Sequence, residues 1–277
     1  MTARRPHSDG RAPATIRKTS SGNRVAVWKN TRQGGEKPHE RDECATMAGA
    51  KASASGLGPP MVSQERGEDE YVQYRGWLAE AAEGYGCRIH AYVFMTNHVH
   101  LLVTPERKDS LPRTMQSLGR RYVRYINGAY RRTGTLWEGR TRAAPIDSEA
   151  CFLACCRYVE LNPVRAGMVR HPRDYRWSSF RAHADGQVDP LVSDHPVYRA
   201  LGRGAKARQS AYRALFRGAL ESGFVDALRA ATNGGWALGT SRFAKQIEEA
   251  THRRAAPRPP GRPRKPPRKD RRQLELL

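Results

Sequence analysis

The segment FMTNHVHLLVTP, residues 94–105, limits the possible folds of the chain more than any other stretch. It holds two histidines around one valine, followed by an unbroken apolar run, and a second apolar run, CRIHAYVFM, stands just before it. The two polar residues between the runs, Thr96 and Asn97, have the length of a tight hairpin turn. We therefore expect an antiparallel hairpin whose second strand begins at His98 and ends at Pro105.

The two histidines of this strand share one face. Side chains alternate along a strand, so His98 and His100 point the same way while Val99 points into the opposite layer. Such a pair is a weak sign of a metal site by itself, because most histidines are only partly buried polar residues. Further along, Tyr158 and Asn162 stand four residues apart in a helical pattern and therefore leave one helix face together. Two imidazoles and an amide oxygen would form an open metal site beside a phenol nucleophile, which favours phosphoryl transfer.

The charge of the chain points to a polyanionic partner. Lysine and arginine number 49 against 27 acidic residues, a formal net charge of +22, so nucleic acid is the leading candidate. A basic tail accounts for only part of this excess, because arginines also crowd the interior segment 113–142. We find no apolar run long enough for a membrane span and no signal peptide, and we expect a cytoplasmic protein without a membrane partner.

Composition divides the chain into four predicted parts. Residues 1–62 are rich in small and basic residues, have no sustained periodicity and are predicted to be disordered. Residues 63–185 carry the hairpin and the periodic helices of an α+β core. Residues 186–254 form short amphipathic pieces that resemble a small helical DNA-binding module. Residues 255–277, rich in proline and arginine, are predicted to be a disordered basic tail. The five cysteines lack a paired spacing and are expected to be buried free thiols.

Within the predicted core, apolar spacing defines three helices and a short strand. The first helix starts near Asp69 and ends by Gly84. A basic helix follows the hairpin and is closed by Gly134. A loop and a short strand in TLWEGRTRAAPI then lead to a helix that Asp147 caps and that Asn162–Pro163 ends or bends.

Several blocks together resemble a known family. The blocks are HAYVFMTNHVHLLVTP, YVRYINGAYRRTGTLWEGR, DSEACFLACCRYVELNPVRAGMV and DYRWSSFRAH. They are similar to the single-tyrosine HUH transposases, specifically the REP-associated tyrosine transposases related to the insertion-sequence-200-like family, over roughly Glu68 to Lys265. The resemblance implies a ferredoxin-like antiparallel sheet with helices, extended here by C-terminal helices and disordered basic termini.

The same resemblance implies a reaction and its residues. Members of the family cleave single-stranded DNA beside short hairpins with Mg²⁺ or Mn²⁺, form a 5′-phosphotyrosine and free a 3′-OH. By position, His98 and His100 match the metal-binding histidines, Tyr158 matches the nucleophile, and Asn162 matches the polar residue that completes the metal site. We expect the partner to be single-stranded or hairpin DNA and the protein to be a monomer or homodimer.

A larger set of basic and aromatic residues is predicted to contact DNA. The set consists of Arg120, Arg121, Tyr122, Arg124, Tyr125, Arg131, Arg132, Trp137, Arg140, Arg262 and Arg264. Tyr122, Tyr125 and Tyr130 are also rival nucleophiles, although stacking on bases suits tyrosines among arginines better. Trp137 is equally consistent with a packed side chain. The motif GRPRK, residues 261–265, resembles an AT-hook, and a nonspecific basic tail is the alternative.

One feature departs from the family pattern, and alternative functions stay open. Family members open with a strand just before the first helix, whereas the only strand-like run upstream here is NRVAVWKN, residues 23–30. Either that run substitutes for the missing strand or the natural start has been lost. A non-catalytic DNA-binding protein, domesticated or decayed, is the second functional hypothesis. An RNA-binding protein on a ferredoxin-like sheet is a third, weakened by the absence of RNP-type aromatics from the strands.

Overall fold

The computed structural model describes residues 25–31, 64–137, 142–257 and 261. The strands are β1 (Val25–Thr31), β2 (Cys87–Phe94), β3 (His98–Pro105) and β4 (Arg142–Ile146). The helices are α1 (Gln64–Tyr85), α2 (Ser110–Ala129), α3 (Ser148–Glu160), α4 (Asn162–Arg165), α5 (Phe180–Asp185), α6 (Pro196–Arg199), α7 (Ala205–Ala214), α8 (Ser222–Gly234) and α9 (Ser241–Thr251).

The four strands form one antiparallel sheet in the order β2-β3-β1-β4. The first six elements follow the chain order βαββαβ, so the predicted α+β, ferredoxin-like class is confirmed. Strand β3 lies between β2 and β1 and is buried along almost its whole length, which explains its continuous apolar run. The predicted hairpin is β2 and β3, with Val99 opposite Phe94 and His100 opposite Val93.

The first strand comes from the segment predicted to be disordered. Val25–Thr31 forms β1, which pairs with β3 on one side and β4 on the other, so the prediction of disorder is wrong for these residues. Val25 and Val27 are fully buried in the sheet and supply the apolar side chains that fix the strand in place. Of the two alternatives, substitution by the upstream run is therefore the one that the structure supports. The other residues of the predicted 1–62 segment lie outside the described residues.

The sheet separates two packed layers. On one face, α1 and α2 cover Val99, Leu101 and Val103 through a cluster that includes Leu78 and Leu118. On the other face, α3 supplies Phe152, Cys155 and Val159, which pack against Leu102 and Val93. Because alternate residues of β3 face opposite layers, its histidines face α3, whereas Val99 faces α1 and α2.

The C-terminal helices pack into the α3 layer. Tyr198, Tyr212 and Leu228 share one apolar cluster with the α3 side chains, so the predicted boundary after residue 185 does not separate two cores. The backbone of Leu238 bonds to both Pro145 and Asp147 and covers the β4 edge.

The predicted boundary before residue 255 shifts slightly. Ala255 is buried, and its carbonyl accepts a bond from the backbone of Ala237, so this residue belongs to the folded part. Residues 258–260 and 262–277 of the predicted tail lie outside the described residues.

Two smaller predictions concern the thiols and the membrane. Cys87, Cys151, Cys155 and Cys156 are buried free thiols, as expected, and burial raises the pKa of Cys87 to about 11. Cys44 lies outside the described residues. Across the part of the chain that the structure describes, every helix is too short or too polar to cross a bilayer.

Candidate active site

The histidine pair lies at the start of β3. The rings of His98 and His100 are 4.9 Å apart between centroids and nearly perpendicular, as alternation along the strand predicts. His100 is buried, whereas His98 is half-buried. The Nδ1 atom of His98 and the Oδ1 atom of Asn97 are 2.6 Å apart, a hydrogen bond in which the ring nitrogen donates. With Nδ1 engaged in this way, Nε2 is the nitrogen suited to bind a metal.

Helix α3 brings Tyr158 to these histidines. The ring of Tyr158 lies 5.8 Å from that of His100, at 88° between the ring planes. Apolar residues at helical spacing, among them Phe152 and Cys155, hold α3 against the sheet and so fix the position of Tyr158. The phenol is 7% exposed, so it is largely shielded from water at this site. The structure thus places three predicted residues, His98, His100 and Tyr158, in one group.

Asn162 lies just past the end of α3, where the prediction put the end or bend of the helix. Its Nδ2 donates to the carbonyls of Tyr158 and Val159, at 2.8 and 3.2 Å. The amide nitrogen therefore caps the helix, and Oδ1 is the atom that could serve as a ligand. No group of three or more His, Cys, Asp or Glu side chains among the described residues could hold a metal ion. The predicted donor set, the histidine pair with the amide oxygen of Asn162, therefore stays a prediction.

The sequence analysis missed Arg165. The guanidinium carbon of this exposed side chain lies 5.0 Å from the centre of the Tyr158 ring. Tyr158 and Arg165 are seven residues apart, which places them on one face of a continuous helix. The sequence did not suggest this, because Asn162–Pro163 indicated that the helix ends before Arg165. In the structure α4 follows α3 directly, so the helical spacing continues through Arg165. A cation at this position suits a phosphate that approaches Tyr158.

Part of the predicted DNA-contact set forms an exposed groove on the outer side of α1 and α2. The α1–α2 groove, of about 310 Å³, is lined by Trp77, Arg120, Arg121, Arg124 and Tyr125. The rings of Trp77 and Tyr125 pack edge to face at 5.5 Å. The sequence analysis missed Trp77. This residue lies on α1, and no sequence pattern shows that it meets the arginines of α2 until the two helices pack together. Guanidinium groups around aromatic rings are suited to phosphates and bases.

Two other members of the set are packing residues. Tyr122 is 5% exposed, packs edge to face on Tyr74, and donates its hydroxyl to Glu70. The prediction that Tyr122 contacts DNA is therefore corrected: a base cannot reach the ring while α1 covers it. Trp137 is half-buried, with its ring 5.8 Å from that of Tyr122, which fits the packing alternative. Tyr130 also donates to Glu70, at 2.5 Å, away from the histidines.

The remaining residues predicted to contact DNA either follow the end of α2 or lie outside the described residues. Arg131 and Arg132 are exposed just after α2. Arg140, Arg262 and Arg264 lie outside the described residues. The α1–α2 groove and the Tyr158 group lie on opposite sides of the sheet, because α2 covers one face and α3 the other.

The fold and site define the class of this domain: a ferredoxin-like sheet whose central histidine pair faces a helix that carries a tyrosine. Residues 66–162 match the family model described as IS200-like transposase, and the predicted resemblance to this transposase family is confirmed over these residues. The match contains His98, His100, Tyr158 and Asn162 and begins after β1.

Two further comparisons concern solved structures and curated proteins. A solved structure of a REP-associated tyrosine transposase bound to a REP hairpin is similar, with 13% identity over 62% of this chain and 87% of that chain, at a TM-score of 0.43. The search of curated proteins gave no match.

Proposed function

We propose that this chain is a transposase that cleaves and rejoins single-stranded DNA beside REP-type hairpins, with Tyr158 as nucleophile. The observation that carries the proposal is the contact of the Tyr158 ring with His100, 5.8 Å between centroids, within a segment that matches the transposase family. Strand β3 and helix α3 come from distant parts of the sequence, so this contact is a product of the fold.

The proposed step is an in-line displacement at one phosphodiester. The Tyr158 oxygen forms a bond to phosphorus, the bond from phosphorus to O3′ breaks, and a 5′-phosphotyrosine remains. The phenol proton leaves to solvent, and the released O3′ takes up a proton to become a 3′-OH. Rejoining runs the same exchange backwards with another 3′-OH and needs no ATP, because the phosphotyrosine conserves the diester bond.

The side chains around Tyr158 have distinct proposed roles. His98 and His100, with the Oδ1 atom of Asn162, would hold the cation, and Asn97 orients the His98 ring. Arg165 stands over the Tyr158 ring, where its charge would attract the scissile phosphate. A bound divalent cation supplies charge compensation at the non-bridging phosphate oxygens. Imidazole ligands favour Mn²⁺ over Mg²⁺ intrinsically, while abundance in cells favours Mg²⁺.

The test is trapping of the covalent intermediate. Hairpin-flanked single strands from the genome that encodes the chain, labelled at the 3′ end, are incubated with protein and Mn²⁺, because that end stays with the tyrosine. We expect a labelled adduct that Tyr158→Phe reduces by at least about a hundredfold, since the nucleophilic oxygen is gone while the buried volume is kept. Tyr125→Phe, the matched control on the exposed groove, should keep the adduct.

Each other outcome has a defined meaning. A nucleotide found by mass spectrometry on Tyr125 or Tyr130 would reassign the nucleophile within the same class of enzyme. Unchanged hairpin binding with no labelled tyrosine, in the presence of metal, would favour the non-catalytic DNA-binding hypothesis.

A further inference from the structure

A polar cleft opens at the β2 edge of the sheet, apart from the Tyr158 group and from the α1–α2 groove. The β2-edge cleft, of about 470 Å³, lies between α1 and the segment 176–191, and its walls include Arg75, Gly76, Arg176, Trp177, Arg181 and Asp189. This volume falls within the range of small-ligand sites, roughly 300–1,000 Å³. Three guanidinium groups and one carboxylate line it, so the cleft favours an anion.

The cleft is preformed by a hydrogen-bonded carboxylate. Asp189 accepts from Arg75 Nη2 at 2.6 Å, from the Tyr92 hydroxyl at 2.7 Å and from the backbone of Leu191 at 3.0 Å. These bonds connect the segment around Asp189 to both α1 and β2, and they give the carboxylate three hydrogen-bond donors. The remaining positive charge is carried by Arg176 and Arg181, on the rim of the cleft.

One wall of the cleft is aromatic. The Trp177 ring stacks on Tyr71 at 4.9 Å between centroids, and the Arg176 guanidinium lies 4.8 Å from the indole centre. Arg176 also pairs with Glu68 at 3.0 Å, with both side chains more than half exposed, so this pair is weak and open to exchange. Aromatic surface beside arginines is the combination that binds single-stranded nucleic acid.

The cleft lies at the β2 edge, between the two faces of the sheet. The α1–α2 groove and Tyr158 lie on opposite faces of the sheet, so DNA that contacts both has to pass around an edge strand or past the strand ends. The β4 edge is covered by Leu238. At the other edge, the Trp177 carbonyl accepts from Phe94, and the next residue, Met95, donates its backbone to His98. Two strand spacings, about 10 Å, separate this wall from β3.

We propose that the β2-edge cleft binds a nucleotide of the single-stranded DNA that flanks the hairpin, with its phosphate on Arg176 and Arg181. For its substrate this inference rests on the proposed function. Gly76 gives a means of testing it, because a Cβ there would meet nothing within 4 Å and would point into open space. A larger side chain at this position fills the cleft without changing any charge.

The experiment compares Gly76→Leu with Gly84→Leu, a glycine of the same helix that lies outside the cleft and also has open space around it. Leucine for glycine in a helix adds up to about 1 kcal/mol of helix stability, so both variants should fold, which thermal unfolding verifies. Fluorescence anisotropy measures binding of a hairpin with a single-stranded flank of about ten nucleotides, and of the same hairpin without a flank. We expect Gly76→Leu to weaken binding of the flanked hairpin about tenfold and to leave the bare hairpin unchanged, while Gly84→Leu changes neither.

Charge substitutions provide an independent measurement. Arg176→Gln and Arg181→Gln should each lower the salt dependence of flanked-hairpin binding by about one released counterion, whereas Arg199→Gln, exposed on α6, should not. Equal binding of flanked hairpin by wild type and Gly76→Leu, or equal weakening for the bare hairpin, would overturn the inference. Adduct formation by the wild type is scored separately. Its absence refutes the proposed function, while the binding comparison decides on the cleft.

Discussion

The hydrogen bond between Asn97 and His98 decides which nitrogen of the His98 ring can bind a metal. Neutral imidazole has one donor and one acceptor nitrogen, and the bond from Nδ1 to the Asn97 oxygen, at 2.6 Å, selects the tautomer with Nε2 as acceptor. Partners of this kind orient metal-binding histidines and typically change metal affinity by about ten- to a hundredfold. The turn between β2 and β3 is therefore part of the proposed metal site.

We accordingly predict that Asn97→Ala weakens Mn²⁺ binding by about tenfold, because the His98 ring loses both its fixed tautomer and its orientation. Titration calorimetry with Mn²⁺ measures the change, and the bare-hairpin affinity should stay the same. The control is Asn127→Ala, which removes an exposed amide bond to the Gly134 carbonyl after α2. Wild-type Mn²⁺ affinity in Asn97→Ala would contradict the role of this turn.

At the scale of elements, helix α3 is fixed at both ends by the C-terminal segment. At its start, the backbone of Asp147 donates to Leu238, and Gly239 lies so close that a Cβ would sit 2.3 Å from that of Asp147. The backbone of Gly239, with φ at +146°, also favours glycine. In the last turn, the Glu160 carboxylate, 0% exposed, accepts from Ser179, His183 and Tyr212 at 2.6, 2.9 and 2.7 Å. The helix that carries Tyr158 therefore depends on residues beyond the family match.

We predict that Tyr212→Phe lowers the free energy of unfolding by about 1–3 kcal/mol, because the buried Glu160 carboxylate loses one of its three donors. Chemical denaturation measures this loss. Adduct formation should fall as well, because Ser179 and His183 alone then hold Glu160 at the end of α3. Tyr125→Phe, which keeps the half-buried ring of the α1–α2 groove, should change stability by less than about 0.5 kcal/mol. Equal stability of wild type and Tyr212→Phe would show that this bond contributes nothing to the fixation of α3.

The sequence allowed prediction of those parts of the site that depend on local periodicity. Strand alternation gives the shared face of His98 and His100, and helical spacing gives that of Tyr158 and Asn162. The contact between strand and helix was supplied by the family resemblance. The run 23–30 was recognised as strand-like, but its place in the sheet stayed open because the partners of β1 lie far along the chain and its seven residues carry a weak pattern. Likewise, no local signal joins Glu160 to Tyr212, since only tertiary packing brings α3 and α7 together.

At the scale of the whole molecule, His90 makes stability depend on pH. Its ring is 2% exposed at the bulge of β2, where Nδ1 donates to the Ser193 carbonyl at 2.7 Å and Nε2 accepts from Thr104 at 2.8 Å. Burial lowers the pKa of His90 to about 4, although the Ser193 carbonyl opposes this shift. The folded state therefore keeps this ring neutral and ties β2 to the segment that follows the β2-edge cleft.

We predict that acid destabilises the protein through this ring. An unfolded histidine binds its proton near pH 6.5, whereas folded His90 binds it only near pH 4, so the unfolded state holds more protons between these values. The contribution of His90 is complete above pH 6.5 and is lost as pH falls towards 4, by up to about 3 kcal/mol. Denaturation at several pH values should show this slope in the wild type and a shallower one in His90→Asn, which cannot titrate. If His90→Asn lost stability in parallel with the wild type over this range, the titration would belong to other groups.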